Sequence, residues 1–178
     1  MQILLGSGLI IAITVFWLGL TWRFANWQKW REYYPSVLFV FTWDFINTIL
    51  TYDYKLWHYE KTWLGPTHVM ADFGVVFLNL APIILLYLSR YPYQSSVAGQ
   101  VGYIALWVGF NSFVEAIFGW LERVTYLHGW GFWWSVVLWS LLFLIVRIHL
   151  TRPIMAWLIT LCVAWFVISY FNIPLLGR

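Results

Sequence analysis

The sequence predicts an all-α fold, a polytopic transmembrane helix bundle with six spans in a single integral membrane domain over residues 1–178. Three observations predict it. Hydrophobic residues make up 62% of the 178 and charged residues only 10%, against about 25% charged in an ordinary soluble domain. Six stretches approach the roughly 20 mostly apolar residues that a spanning helix needs. The segments between them are too short to hold a soluble domain.

The first span is placed at residues 3–22. Met1 and Gln2 supply no basic leader and no small-residue cleavage site follows, so it reads as a retained span and not a signal peptide. The second, 35–52, is the least apolar, because Asp44, Asn47, Thr48 and Thr51 interrupt it. The third covers 67–88, the fourth 97–121, the fifth 130–148 and the sixth 154–171. Pro153 separates the last two, since it lacks a donor and its ring clashes with the preceding turn. The longest connections carry Trp, Tyr, Lys and Arg, which suit the headgroup layer. No strand is expected, because in hydrocarbon a helix satisfies its own backbone.

The net charge is +3 and the pI about 9.1, with a mean hydropathy of +0.75. On so apolar a chain, basicity speaks for topology and not for a polyanionic partner. A soluble enzyme, a disordered chain and a nucleic-acid-binding domain are excluded; the partner expected first is the lipid bilayer. Arg23, Lys29, Arg31, Arg90, Arg147 and Arg152 fall on one side of the six spans, Lys55, Lys61, Arg123 and Arg178 on the other. The richer side is expected to be cytoplasmic, with both termini outside. The single cysteine, Cys162, excludes an intrachain disulfide.

Ionisable groups inside a membrane cost about 2.5–3.5 kcal/mol each on insertion scales, so they face the bundle interior or a wet cavity. Asp44, Asn47, Thr48 and Thr51 share one face of the second span; His68, Asp72 and Asn79 share one face of the third; Asn111, Glu115 and Glu122 share one face of the fourth. At about 1.5 Å per residue, Asp44 lies near the midplane and Asp72 and Glu115 roughly 7–10 Å in from the four-charge side. His58 and His128 stand at that surface too. The expected site is a polar vestibule open on one side, lined by Asp44, Asn47, His68, Asp72, Asn111, Glu115 and Glu122. The same faces could instead be interhelical hydrogen bonds that hold the helices together.

His68 and Asp72 are spaced i, i+4, as two ligands on a helix would be. No HExxH, second His pair or Cys ligand accompanies them, so neither metal nor other cofactor is expected. No nucleophile elbow occurs. Fifteen Trp suit interfacial belts, or an aromatic wall beside the carboxyls for an amphiphilic or cationic ligand. In the fourth span Ala98, Gly102, Ala105, Gly109, Ser112, Ala116 and Gly119 form a stripe of small residues. Such a stripe lets helix backbones approach closely, either within the bundle, the expectation favoured here, or in a homodimer.

Residues 115–135 read EAIFGWLERVTYLHGWGFWWS and residues 73–92 FGVVFLNLAPIILLYLSRYP. The Glu115–Glu122 spacing, the Thr125-x-Leu127 that follows, the Trp-rich start of the next span and the Pro-containing span ending in Tyr91-Pro92 resemble a known family. It is an uncharacterised family of small multi-pass membrane proteins, common in endospore-forming Gram-positive bacteria. The resemblance covers residues 60–150 and implies a bacterial plasma-membrane protein, without an assigned activity or site. The residues themselves point to a non-enzymatic role, in which the vestibule binds a small amphiphile, a lipid or a partner membrane protein. Two other readings stay open: a small intramembrane enzyme using Asp72, His68 and Glu115 on a lipid, and a proton-coupled transporter.

Overall fold

The computed structural model describes residues 2–59, 74 and 76–174. Within them lie six helices and one small β-ribbon. The order is α1 (Gln2–Phe24), a 3-10 turn (Trp27–Lys29), α2 (Trp30–Leu50), β1 (Trp57–Tyr59), a π-helical turn (Val76–Leu80) continuing into α3 (Ala81–Arg90), α4 (Val97–Trp120), β2 (Val124–Tyr126), α5 (Phe132–His149) and α6 (Pro153–Tyr170). Three helices, α4, α5 and α6, are long and apolar enough to cross a membrane. α1 and α2 reach that standard only as a pair, and they meet at 90°.

Local chemistry sets the clean ends. The Ser96 hydroxyl caps α4 by accepting from the Gly99 amide at 3.3 Å. Pro153 begins α6 at a position where its missing donor costs nothing. α4 stops in a Schellman turn: Arg123 N–H reaches the Phe118 carbonyl at 2.7 Å and Glu122 N–H the Gly119 carbonyl at 3.0 Å. Glu122 takes the left-handed position at φ +55°, where glycine is usual. α6 ends the same way, with Asn172 at φ +51°.

Two expectations need correction. The second helix starts at Trp30 and runs through Pro35 to Leu50, so its first turn lies five residues ahead of the expected span. The chain also contains strands. β1 and β2 pair antiparallel, Trp57 opposite Tyr126 and Tyr59 opposite Val124, and Leu127 N–H extends the ladder to the Leu56 carbonyl at 2.8 Å. β-branched and aromatic side chains favour this pairing, and each strand bonds the other, so the short extended segments keep their backbone groups satisfied.

The main core packs α1, α2, α3, α4 and α5 around Tyr87 and Phe143. Two of its phenols bond backbone: Tyr87 donates to the Phe143 carbonyl and Tyr103 to the Tyr87 carbonyl, both at 3.0 Å. Ser36 Oγ and His149 Nδ1, both buried, meet at 2.9 Å, while the His149 ring stacks on Phe39. α1 is tied to the start of α3 by Thr14 Oγ1 donating to Asn79 at 3.2 Å and Thr21 Oγ1 donating to the Pro82 carbonyl at 3.0 Å. Arg90 Nε donates to the Phe24 carbonyl at 2.7 Å, a cation closing the C-terminal end of α1. Arg147 lies 5.0 Å from the rings of both Tyr91 and Tyr93, so it shares that end of the bundle.

At the opposite end, a second apolar cluster of Leu56, Trp130, Phe171 and Ile173 joins the ribbon to the end of α6. α6 itself buries only Ala156, leaving apolar side chains such as Leu158, Leu161 and Trp165 bare.

Candidate functional site

The ribbon positions the one candidate carboxylate whose partners are defined. Glu115 lies on α4 five residues before its end. From there the chain turns through Glu122, forms β2 and enters α5. Tyr126 on β2 donates its phenol to Glu115 Oε1 at 2.7 Å, and Trp139 on α5 donates its indole N–H to Oε2 at 2.8 Å. The carboxylate thus clasps three elements, α4, β2 and α5.

Both donors are neutral. Among the described residues the ion pair is Lys29–Glu32, at 3.7 Å, far along the chain from Glu115. Among the described residues no Lys, Arg or His nitrogen lies within 4.0 Å of the Glu115 carboxylate. Tyr126 is held protonated: burial, then the hydrogen bond to Glu115 and its charge, raise its pKa above the ordinary 10.0. Ser135, on α5, accepts from Trp130 Nε1 at 3.1 Å, in the apolar cluster under the ribbon.

The other expected residues take different places. Asn111, one turn before Glu115, is buried, but its amide donates back to the Trp107 carbonyl at 2.9 Å in its own helix. Ser112, also buried, has an Oγ with no hydrogen-bond partner. Asp44 and Asn47 lie half-buried on α2, where the Asn47 carbonyl accepts from Thr51 Oγ1 at 2.8 Å. Glu122 is exposed, at the rim and past the end of α4. His68 and Asp72 lie outside the described residues. His58 is on β1, and the exposed His128 stacks on Tyr54 with centroids 3.7 Å apart.

Tyr126 and Trp139 were not among the expected site residues. The alternation Val124-Thr125-Tyr126 signals a strand only once a partner strand is known, and Trp139 is one of several tryptophans at mid-depth. Among the described residues no group of three His, Cys, Asp or Glu could hold a metal ion.

Most of the small-residue stripe does not pack within the bundle. Ala98, Gly102, Ala105, Gly109 and Ala116 are exposed, and a Cβ added at Gly102 or Gly109 would meet nothing within 4 Å. The reason is that α4 turns another face inward, with Trp107 and Asn111 buried against its neighbours and Ser112 the buried member of the stripe. Comparison with protein-family models, curated proteins and solved structures finds no match.

Proposed function

We propose that this is a six-span protein of a bacterial plasma membrane that binds a small amphiphile with a cationic head at Glu115. Membrane residence is supported by α4, α5 and α6 and by the bare apolar flank of α6. On a water-soluble protein, so large an apolar face would be covered. The resemblance to multi-pass proteins of endospore-forming bacteria agrees with this reading.

One observation carries the ligand. Glu115 is a half-buried carboxylate with two neutral donors and, among the described residues, no ion-pair partner. Desolvated charges are ordinarily paired, because an unpaired one is expensive. An ammonium head supplies the missing charge, and the aromatic end of the bundle offers the ring faces that attract cations. Hydrogen bonding alone would not require a carboxylate.

The experiment uses Glu115→Gln. An indole only donates, so the Gln oxygen must face Trp139 and its NH2 must face Tyr126, whose hydroxyl can rotate to accept. The clasp survives and the charge is gone. The protein is reconstituted in nanodiscs and titrated with dodecyltrimethylammonium or dodecanol, reading tryptophan fluorescence. The expected result is saturable binding that prefers the ammonium and is lost in Glu115→Gln, with the melting temperature nearly kept. Equal binding of the alcohol, or unchanged binding by the variant, overturns the proposal.

A further inference from the structure

The α1–α2 elbow holds a second concavity, at the end of the bundle opposite Glu115. Because the two helices meet at 90°, they and α3 leave an open groove of about 620 Å³ between them. Gly19 and Leu85 line it, and Trp22, Trp27 and Trp30 stand along the elbow. Its lining is mostly apolar, and two of its polar groups are already engaged: Thr21 donates to the Pro82 carbonyl, and Trp27 Nε1 donates to the Trp22 carbonyl at 3.0 Å. Water needs two or more polar partners to stay in a cavity, so a groove of this kind takes hydrocarbon.

Charge surrounds the same elbow. Arg23, Lys29 and Arg31 alternate with the tryptophans, against the single carboxylate of Glu32. Glu32 is engaged by Lys29 at 3.7 Å. Arg23 lies over the Phe24 ring at 5.4 Å and Arg31 over the Trp30 ring at 5.8 Å, and neither meets a carboxylate among the described residues. A guanidinium resting on a ring keeps its N–H edge for a phosphate.

We infer that the elbow groove seats an acyl chain of an anionic phospholipid, with the phosphate head held by Arg23 and Arg31. The hydrocarbon groove selects a lipid over free phosphate, and the uncompensated guanidiniums select an anionic head over a zwitterionic one. The site is independent of Glu115.

The test adds phosphatidylglycerol or phosphatidylcholine with identical chains to delipidated protein in detergent. Bound lipid is counted by native mass spectrometry and melting is followed in parallel. Wild type should retain one phosphatidylglycerol and melt several degrees higher with it than with phosphatidylcholine, as a ligand of the folded state requires. The double variant Arg23→Gln/Arg31→Gln should lose about tenfold or more in phosphatidylglycerol affinity and bind both lipids alike. Gly19→Leu should bind neither. A Cβ at Gly19 meets nothing within 4 Å, so leucine enters the groove without displacing the backbone. Glu115→Gln should bind phosphatidylglycerol as wild type does, which separates this site from the one above. Equal binding of the two lipids by wild type, undiminished binding by Gly19→Leu, or a protein dimer in place of the lipid adduct overturns the inference.

Discussion

Hydrogen bonds to one carboxylate decide how the ribbon is held. Tyr126→Phe removes the 2.7 Å donor to Glu115 and leaves Oε1 facing a ring edge. A charge-assisted bond is worth about 1.5–3 kcal/mol, and partial exposure of the site places the loss near the lower end. Chemical denaturation in detergent should therefore show Tyr126→Phe destabilised by about 1.5 kcal/mol. The pH dependence has a fixed sign. The folded-state pKa of Tyr126 is raised above 10.0, so its contribution is fully present below that value. It is lost as pH climbs through the folded pKa. The wild-type advantage over Tyr126→Phe should be flat around neutrality and shrink in alkali, as parallel unfolding curves across pH would show. Glu122 offers a gain in the other direction. A side chain in the left-handed region costs about 1–2 kcal/mol, partly offset by the backbone entropy that glycine would lose. Glu122→Gly should raise stability by about 0.5–1 kcal/mol in the same assay; a loss would mean that this side chain holds a contact worth more than its strain.

At the scale of elements, the groups that make α4 a good helix are separate from those that place it. Ser96 caps it, the Schellman turn ends it, and Trp107 and Asn111 face inward. The small-residue stripe lies on another face, which reverses what packing alone would predict for Gly109. Inside a bundle, Gly109→Leu would overpack by about 1–3 kcal/mol. On an open face it exchanges glycine for a strong helix former, worth up to about 1 kcal/mol. The monomer should therefore melt no lower with leucine at 109 than with glycine, and circular dichroism in detergent checks this. If two copies meet through the stripe, the same substitution should shift crosslinked dimer to monomer while the monomer stays folded. The start of α6 was legible in the sequence because Pro153 acts locally. The ribbon was not, because three alternating residues form a strand only when a partner some 67 positions away is present. The Glu115 clasp was half legible: its acid stood out as a charge in an apolar helix, whereas its donors come from elements that only the tertiary fold brings together.

For the whole molecule, the decisive question is whether α1 and α2 are two spans or one broken one, and the proposed topology rests on the elbow between them. The 90° bend puts Asn26 to Lys29 either in the headgroup layer or inside the membrane. Arg23, Lys29 and Arg31 alternate with tryptophans there, and Arg90 and Arg147 are bound at the same end of the bundle through Phe24, Tyr91 and Tyr93. Three cations within nine residues are costly in hydrocarbon and suited to a cytoplasmic surface, with Trp and Tyr beside them at the interface. The proposed six-span topology puts both termini outside, the elbow inside and the ribbon outside. Cys162 is exposed on α6 and would react by itself, so Cys162→Ser is the background for single-cysteine probes. A cysteine at Gln28 should be labelled by an impermeant maleimide only in inverted vesicles, and one at Gly129 only in intact cells. Fusions at both termini should report the outer side. An unreactive cysteine at 28 in both preparations would make α1 and α2 a single bent span. The elbow cations would then be buried, with no aqueous face for a lipid head, and the anionic-lipid site would fall together with the six-span topology.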